Sequence, residues 1–119
     1  MMNRLEQAFA LKLEHERRYG KIFRWEFEPV RLKLAGKKCT YTPDFMVVRK
    51  SAQPEHVTLE GEPLSSIEFF EVKGKFIRED AAVKLKVAAG LYPFWRFILA
   101  KCIKGAWELK EIMAGKDDQ

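Results

Sequence analysis

The sequence predicts an α/β domain with the element order αβββαβ, in which helices flank a mixed sheet. Two helical segments alternate with short segments rich in aromatic and β-branched residues, which is typical of this class. The second helical segment lies between two apolar strands, and a strand–helix–strand connection favours parallel pairing of those strands. The chain has 119 residues, a length that fits one domain with one core.

The first predicted element is a helix over residues 2–19, which Gly20 ends. One face of this helix carries apolar side chains at helical spacing, namely Met2, Leu5, Phe9 and Leu13. Glu6 lies on the flank of that face, about 60° from its centre at the 100° step of a helix. Its position therefore borders the predicted core while leaving the carboxylate access to a cleft.

Alternating strand segments follow this helix. Residues 21–28 alternate between aromatic and polar side chains, which predicts a half-buried strand with the aromatic residues inward: Phe23, Trp25 and Phe27. Pro29 interrupts the pattern, and alternation resumes over 30–34. The next predicted strand covers 41–48, and this close spacing predicts an antiparallel meander.

The second half of the chain is predicted to hold a strand, a helix and two more strands, at 67–73, 79–92, 95–100 and 106–111. Residues 51–66 contain proline, glycine and serine, and they predict a loop that is a surface insertion between two strands. The helix has two apolar strips, one of them formed by Val83, Val87 and Leu91, which predicts packing on more than one side. Residues 115–119 are a polar tail.

Charged side chains stand at the ends of two predicted strands. Asp44 follows Pro43 near the start of one strand, and Glu71, Val72 and Lys73 end the next one. Because successive side chains on a strand point to opposite faces, Glu71 and Lys73 share a face while Val72 packs on the other. A charge on a mostly buried strand is costly unless it is paired or bound to a metal. Mg²⁺ prefers oxygen ligands and usually takes one or two carboxylates, so the pattern predicts a metal site that activates water beside a phosphodiester.

The arrangement Pro-Asp followed by Glu-x-Lys resembles the motif of the PD-(D/E)XK nuclease superfamily, whose fold is restriction-endonuclease-like. The resemblance implies that Asp44 and Glu71 are metal ligands and that Lys73 is the catalytic lysine. It also implies a third acid from the first helix, for which Glu6 is best placed, and the carbonyl of Val72 as a further ligand. The implied cofactor is Mg²⁺, for which Mn²⁺ can substitute.

Over roughly residues 3–101 the chain is also similar to small phage-encoded endonucleases of this superfamily, some of which are Holliday-junction resolvases. This likeness implies a Mg²⁺-dependent endodeoxyribonuclease that acts in DNA recombination, with branched DNA as one candidate substrate. A homodimer that cuts two strands fits such a substrate.

Composition adds a basic surface to this interpretation. The net charge is +5 and the isoelectric point is about 9.3, which favours a polyanionic partner such as DNA. Lysine and arginine near the second helix are candidate phosphate contacts: Lys75, Arg78, Lys84 and Lys86. Lys84 and Lys86 lie about 200° apart around a helix, so at most one of them faces the site.

Other features exclude several classes of protein. No apolar run approaches the ~20 residues needed to cross a bilayer, so no membrane partner is expected. Arg4 and Glu6 stand early in a chain without an apolar leader, which predicts a cytoplasmic, intracellular protein. Cys39 and Cys102 are far apart, so they are expected to be buried free thiols, and no zinc-ligand spacing occurs.

The same residues are compatible with other functions. One is a catalytically inactive nucleic-acid-binding module, which needs only the basic surface and the aromatic side chains. Another is a nuclease subunit of a larger transposition or restriction complex, or a nuclease that nicks without structural preference. A third is a protein–protein adaptor, in which Lys73 forms an ordinary ion pair with Asp44 or Glu71.

Overall fold

The computed structural model describes residues 1–35, 39–50, 65–74 and 79–113. Nearly all of the predicted loop at 51–66 and the predicted tail at 115–119 lie outside the described residues.

The described residues form an α/β fold with a mixed five-stranded sheet, two helices and a separate two-stranded ribbon. The elements are α1 (Arg4–Arg18), β1 (Ile22–Phe27), β2 (Leu32–Ala35), β3 (Cys39–Tyr41), β4 (Phe45–Lys50), β5 (Ser65–Lys73), α2 (Glu79–Leu91), β6 (Arg96–Ile103) and β7 (Ala106–Ile112). The strand order in the sheet is β1-β4-β5-β6-β7, and β2 pairs with β3 in the ribbon. Strands β5 and β6 are parallel and the other neighbours antiparallel, which confirms the pairing predicted across α2.

The predicted antiparallel meander is wrong. Strand β1 pairs with β4, and the ribbon of β2 and β3 is inserted between them in the chain. The predicted single strand at 41–48 is therefore two elements, with Tyr41 ending β3 and Phe45 beginning β4. The buried Pro43 between them has no N–H to donate to a ladder, so a continuous strand cannot pass through it.

Helix α1 begins at a capping box and covers one face of the sheet. The side chain of Asn3 accepts the backbone N–H of Glu6, and the side chain of Glu6 accepts the backbone N–H of Asn3. Gly20, with φ of 79°, follows the helix in the left-handed conformation that glycine adopts readily. The apolar face predicted from the sequence is confirmed, since Phe9 and Leu13 are fully buried against the sheet.

The inward orientation predicted for Phe23 is wrong. A register shift between Ile22 and Arg24 interrupts the pairing of β1 with β4. Such a bulge changes the face on which the following side chains lie. Ile22 is therefore buried and Phe23 is exposed, while Trp25 and Phe27 stay half-buried against the core as expected.

Helix α2 and the ribbon cover the other face of the sheet. Leu85, Ala88 and Ala89 of α2 are buried in a cluster with side chains of β2, β3, β5 and β6. The prediction that α2 is covered on more than one side is wrong. The strip of Val83, Val87 and Leu91 is exposed, because the sheet and ribbon contact a single face of the helix.

Strands β6 and β7 form a hairpin with a two-residue turn. Lys104 and Gly105 have φ of 52° and 81°, and two positive φ values are characteristic of the type I′ turn that fits the twist of a hairpin. The pairing then runs without a register shift to Phe97 opposite Ile112.

Two further observations concern the predicted compartment. Cys39 and Cys102 are free thiols as expected, but neither is fully buried as predicted: Cys39 is exposed and Cys102 is half-buried. No helix in the described part of the chain is long and apolar enough to cross a membrane.

Candidate active site

Asp44 and Glu71 lie together where strands β4 and β5 meet. Phe45 is paired with Phe70, so the residue before β4 lies beside Glu71. The backbone N–H of Val72 donates to Oδ2 of Asp44 at 2.7 Å. This bond holds the Asp44 carboxylate against β5 beside the Glu71 carboxylate.

Glu71 is held by two further side chains. The Tyr41 hydroxyl donates to Oε1 of Glu71 at 2.6 Å, and Nζ of Lys73 lies 3.1 Å from Oε2. Glu71 is only 5% exposed, while Val72 packs into the core on the other face of β5. The shared face predicted for Glu71 and Lys73 is therefore confirmed.

The negative charge of Glu71 opposes the ionisation of Asp44. Burial raises the pKa of Asp44 from 3.8 to about 7, and the negative charge of Glu71 adds to this increase. The Val72 N–H and the Lys73 ammonium lower the pKa of Asp44, but they do not offset the first two effects. Burial, followed by the charge of Glu71, also raises the pKa of the Tyr41 hydroxyl, which therefore stays protonated and donates.

Glu6 lies near this pair but is engaged in the helix cap. Its negative charge is a further cause of the raised pKa of Asp44, which places the carboxylate within electrostatic range of the site. Oε1 of Glu6 accepts the backbone N–H of Asn3 at 2.8 Å. Glu6 is thus close enough to influence the pair, while one of its oxygens stabilises the start of α1.

The residues present fit a hard divalent cation. Among the described residues, no three acidic, histidine or cysteine side chains converge closely enough to hold a metal ion by themselves. Mg²⁺ usually takes only one or two carboxylates and keeps several waters, so a pair is sufficient. A buried carboxyl group with a raised pKa beside a second carboxylate, such as Asp44, is also an environment in which a cation can replace the bound proton.

An open cleft of about 370 Å³ borders Thr42, two residues before Asp44. Its lining residues are Glu28, Pro29, Val30, Arg31 and Thr42. The backbone N–H of Glu28, which lines this cleft, donates to the backbone carbonyl of Asp44 at 2.8 Å. Arg31 provides a cation at this cleft.

The predicted phosphate contacts fall in different places. Lys84 is exposed on α2, and Lys86 on the same helix is half-buried. Lys75 and Arg78 lie outside the described residues.

Tyr41 is the contact that sequence reasoning missed. It lies on the ribbon, which packs on the α2 face of the sheet, and that packing brings its hydroxyl to Glu71. A buried tyrosine hydroxyl needs a partner, but no pattern in the sequence indicates which residue provides it.

A second buried acid provides a contrast. Glu68, on the opposite face of β5, is 2% exposed and lies 2.8 Å from Arg49 and 2.6 Å from Arg96. Arg49 also pairs with Glu16, which Lys12 contacts, and Arg96 also pairs with Glu111, so three cations balance three carboxylates in one structural ion network. At Asp44 and Glu71, by contrast, Lys73 is the one cation that the described residues place in contact with the two carboxylates.

Comparisons with known proteins do not identify a family. No family model matches the chain, and no curated protein matches it. Among solved structures, the crystal structure of SSO0001 is similar over 92% of this chain, with 16% sequence identity and a TM-score of 0.46. The chain spans about half of the length of that protein, at 51%.

Proposed function

We propose that this protein is a Mg²⁺-dependent endodeoxyribonuclease of the PD-(D/E)XK type, built on a restriction-endonuclease-like core. When the β2–β3 ribbon is set aside as an insertion, the elements follow the order αβββαβ with β7 added. The proposed catalytic residues Asp44, Glu71 and Lys73 lie at neighbouring ends of β4 and β5, as that motif requires.

The excess negative charge of the acid pair carries this proposal. Burial and the adjacent Glu71 raise the pKa of Asp44 to about 7, and Lys73 alone does not compensate. A chain that needed these groups only for folding would gain from a second cation, as the balanced ion network around Glu68 illustrates. A buried carboxyl group with a strongly raised pKa beside a second carboxylate is a candidate functional site.

The chain's own residues would have distinct roles. Asp44 and Glu71 would hold the metal, with the Val72 carbonyl and Glu6 as supporting ligands. The Val72 N–H and the Tyr41 hydroxyl fix the orientation of the two carboxylates. Lys73 would orient the attacking water and offset charge on the phosphate. When bound, Mg²⁺ lowers the pKa of a coordinated water and offsets negative charge on the scissile phosphate.

A cleavage assay with matched variants tests this function. The substrates are labelled linear duplex, single strand, flap and four-way junction, each incubated with Mg²⁺, Mn²⁺ or EDTA. We expect metal-dependent cleavage that Asp44→Asn and Lys73→Ala abolish and that Glu111→Gln, an exposed carboxylate of β7, retains. Cleavage in EDTA, or equal cleavage by Asp44→Asn and the parent protein, would contradict the assignment.

The substrate preference is part of the same proposal. The resemblance to Holliday-junction resolvases favours recognition of DNA structure and hence branched DNA. Preferred cutting of the four-way junction over linear duplex of the same sequence is the expected result. Equal rates on all duplex substrates would instead indicate a nicking nuclease without structural preference.

One observation favours a binding module without cleavage. Both oxygens of Glu71 have partners, in Tyr41 and Lys73, and one oxygen of Glu6 is engaged in the helix cap. A site of this kind is also stable as a purely structural charge cluster. Thermal unfolding separates the two functions, because a ligand that binds only the folded state raises the melting temperature. An increase in melting temperature with Mg²⁺ or Mn²⁺ that Asp44→Asn removes supports the metal site, whereas no increase favours the binding module.

A further inference from the structure

Strand β7 is an open edge of the sheet. In the part of the chain that the structure describes, its inner edge pairs with β6 and no strand pairs with its outer edge. It has seven residues and pairs with β6 without a register shift. An edge strand that is long and regular presents unpaired backbone groups that are a template for another strand.

The opposite edge of the sheet is less suited to pairing. Strand β1 carries the bulge between Ile22 and Arg24, and it is followed by Glu28 with a positive φ of 46°. Bulges and local twists are common means by which sheets protect an edge. Only β7 therefore combines a free edge with a regular backbone among the described strands.

The side chains of β7 are complementary to themselves. Glu108 and Lys110 are both exposed and lie on one face of the sheet, separated by Leu109 on the other face. In an antiparallel pair related by a two-fold axis through Leu109, Glu108 of one strand lies opposite Lys110 of its mate. The same contact occurs twice by symmetry, and opposite charges at directly paired positions stabilise a sheet.

Neighbouring registers lack this complementarity. A two-fold axis perpendicular to the sheet leaves each side chain on its own face of the sheet. Because directly paired side chains share a face, the axis must pass through a residue that pairs with its own copy in the second strand. An axis through Glu108 places two glutamates opposite each other, and an axis through Lys110 places two lysines opposite each other. Like charges at directly paired positions are destabilising, so the sequence favours the register centred on Leu109.

The central position of this register is apolar and accessible. Leu109 is 51% exposed, and it would contact the same leucine of the second strand. The register also pairs the whole of β7, because Ala106 lies opposite Ile112 at both ends. We propose that β7 pairs with β7 of a second copy of this chain about Leu109, which joins the two sheets into one continuous sheet.

Charge-reversal variants test this homodimer. Glu108→Lys and Lys110→Glu each place like charges at both symmetric contacts, so each variant is expected to dimerise at least about tenfold more weakly than the parent protein. An equimolar mixture restores opposite charges at both contacts and is expected to form a heterodimer with parent-like affinity. Sedimentation velocity over a range of protein concentrations measures each species.

Two controls separate pairing from general effects of charge. The double variant Glu108→Lys with Lys110→Glu restores opposite charges within a homodimer and is expected to dimerise like the parent. Lys33→Glu makes the same charge change at an exposed position of β2 and is expected to leave dimerisation unchanged. A parent protein that stays monomeric up to about 100 μM, well above an ordinary dissociation constant, overturns the proposal. A mixture that fails to associate better than its components overturns it equally.

Discussion

At the scale of single residues, Asp44 links the acid pair to the stability of the fold. Its pKa is about 7 in the folded protein and 3.8 as an ordinary carboxyl, so the folded state binds the proton more tightly than the unfolded state. Protonated Asp44 therefore favours folding below pH 4, and this contribution is lost as the pH rises through 7. In the absence of metal, Asp44 is consequently a destabilising residue at neutral and alkaline pH.

The substitution Asp44→Asn tests that linkage. We expect the variant to unfold at a higher denaturant concentration than the parent at pH 8, and the difference to disappear or reverse at pH 4.5, since the amide does not ionise. Denaturant titrations in EDTA at both pH values measure the free energy of unfolding. Asp80→Asn, which changes an exposed carboxylate of α2, is the matched control and should show no such pH-dependent gain. An unfolding difference that is the same at both pH values would show that Asp44 is not perturbed.

Tyr41 is the second residue whose contribution can be measured. Tyr41→Phe removes the hydroxyl that donates to the buried Glu71, and loss of a hydrogen bond to a charged group costs about 1.5–3 kcal/mol. Tyr92→Phe is a matched control, because its hydroxyl donates at 2.7 Å to the backbone carbonyl of Lys33, a neutral acceptor. We expect the Tyr41 variant to lose more unfolding free energy than the Tyr92 variant in urea titrations. Equal losses would mean that Glu71 gains little from its contact with Tyr41.

These residues also show which features of the candidate site could be predicted from the sequence alone. The spacing of Asp44, Glu71 and Lys73 predicted their convergence, because side-chain alternation along a strand is a local rule and consecutive strands commonly pair. The contact of Tyr41 depends on how the ribbon packs over the sheet, and that packing is set by long-range burial which no local pattern encodes. The part that Glu6 plays in the capping box could be predicted from Asn3, three residues earlier. The competition between this cap and the proposed role of Glu6 as a metal ligand could not be predicted.

At the scale of elements, the sequence predicted most boundaries within a few residues and erred where strands pair with distant partners. Helix α1, helix α2 and strands β5 to β7 follow from periodicity and from glycine or proline at their ends. The ribbon was mistaken for part of a meander, because Pro43 interrupts the ladder without indicating which strands pair on either side. Phe23 was misplaced because a bulge depends on the partner strand as well as on the alternating pattern.

The turn between β6 and β7 provides an element-scale prediction. Gly105 has φ of 81°, and a Cβ there would meet nothing within 4 Å, so conformation rather than space disfavours a larger residue. We expect Gly105→Ala to destabilise the protein by roughly 1 kcal/mol. Lys104→Asn is expected to be neutral or stabilising, because Asn-Gly is the preferred pair of a type I′ turn. Thermal unfolding of both variants measures the change in stability. An alanine variant as stable as the parent would argue against the type I′ geometry.

At the scale of the whole molecule, the proposed function makes charge important for the encounter with nucleic acid. A net charge of +5 and a cleft lined by Arg31 predict that DNA binding depends on contacts with phosphates. Each neutralised phosphate releases counterions, so the logarithm of the affinity falls linearly with the logarithm of the salt concentration, by about 0.9 per contact for duplex DNA. Binding is therefore expected to weaken steeply between low and physiological salt even when no cleavage occurs.

The salt dependence of DNA affinity, expressed as the slope of its logarithm against the logarithm of the salt concentration, can be assigned in part to one side chain. Fluorescence anisotropy measures the binding of a labelled DNA duplex to the Asp44→Asn variant. EDTA and this substitution prevent hydrolysis of the DNA during the measurement. In this background Arg31→Ala is expected to reduce the magnitude of the slope by about one unit, because one phosphate contact is lost. Lys21→Ala removes the same charge near the opposite end of β1 and is expected to leave the slope unchanged, since that end of the sheet is remote from the acid pair. If both variants change the slope equally, DNA binds through the overall charge of the protein and the cleft beside Asp44 has no special role in holding it.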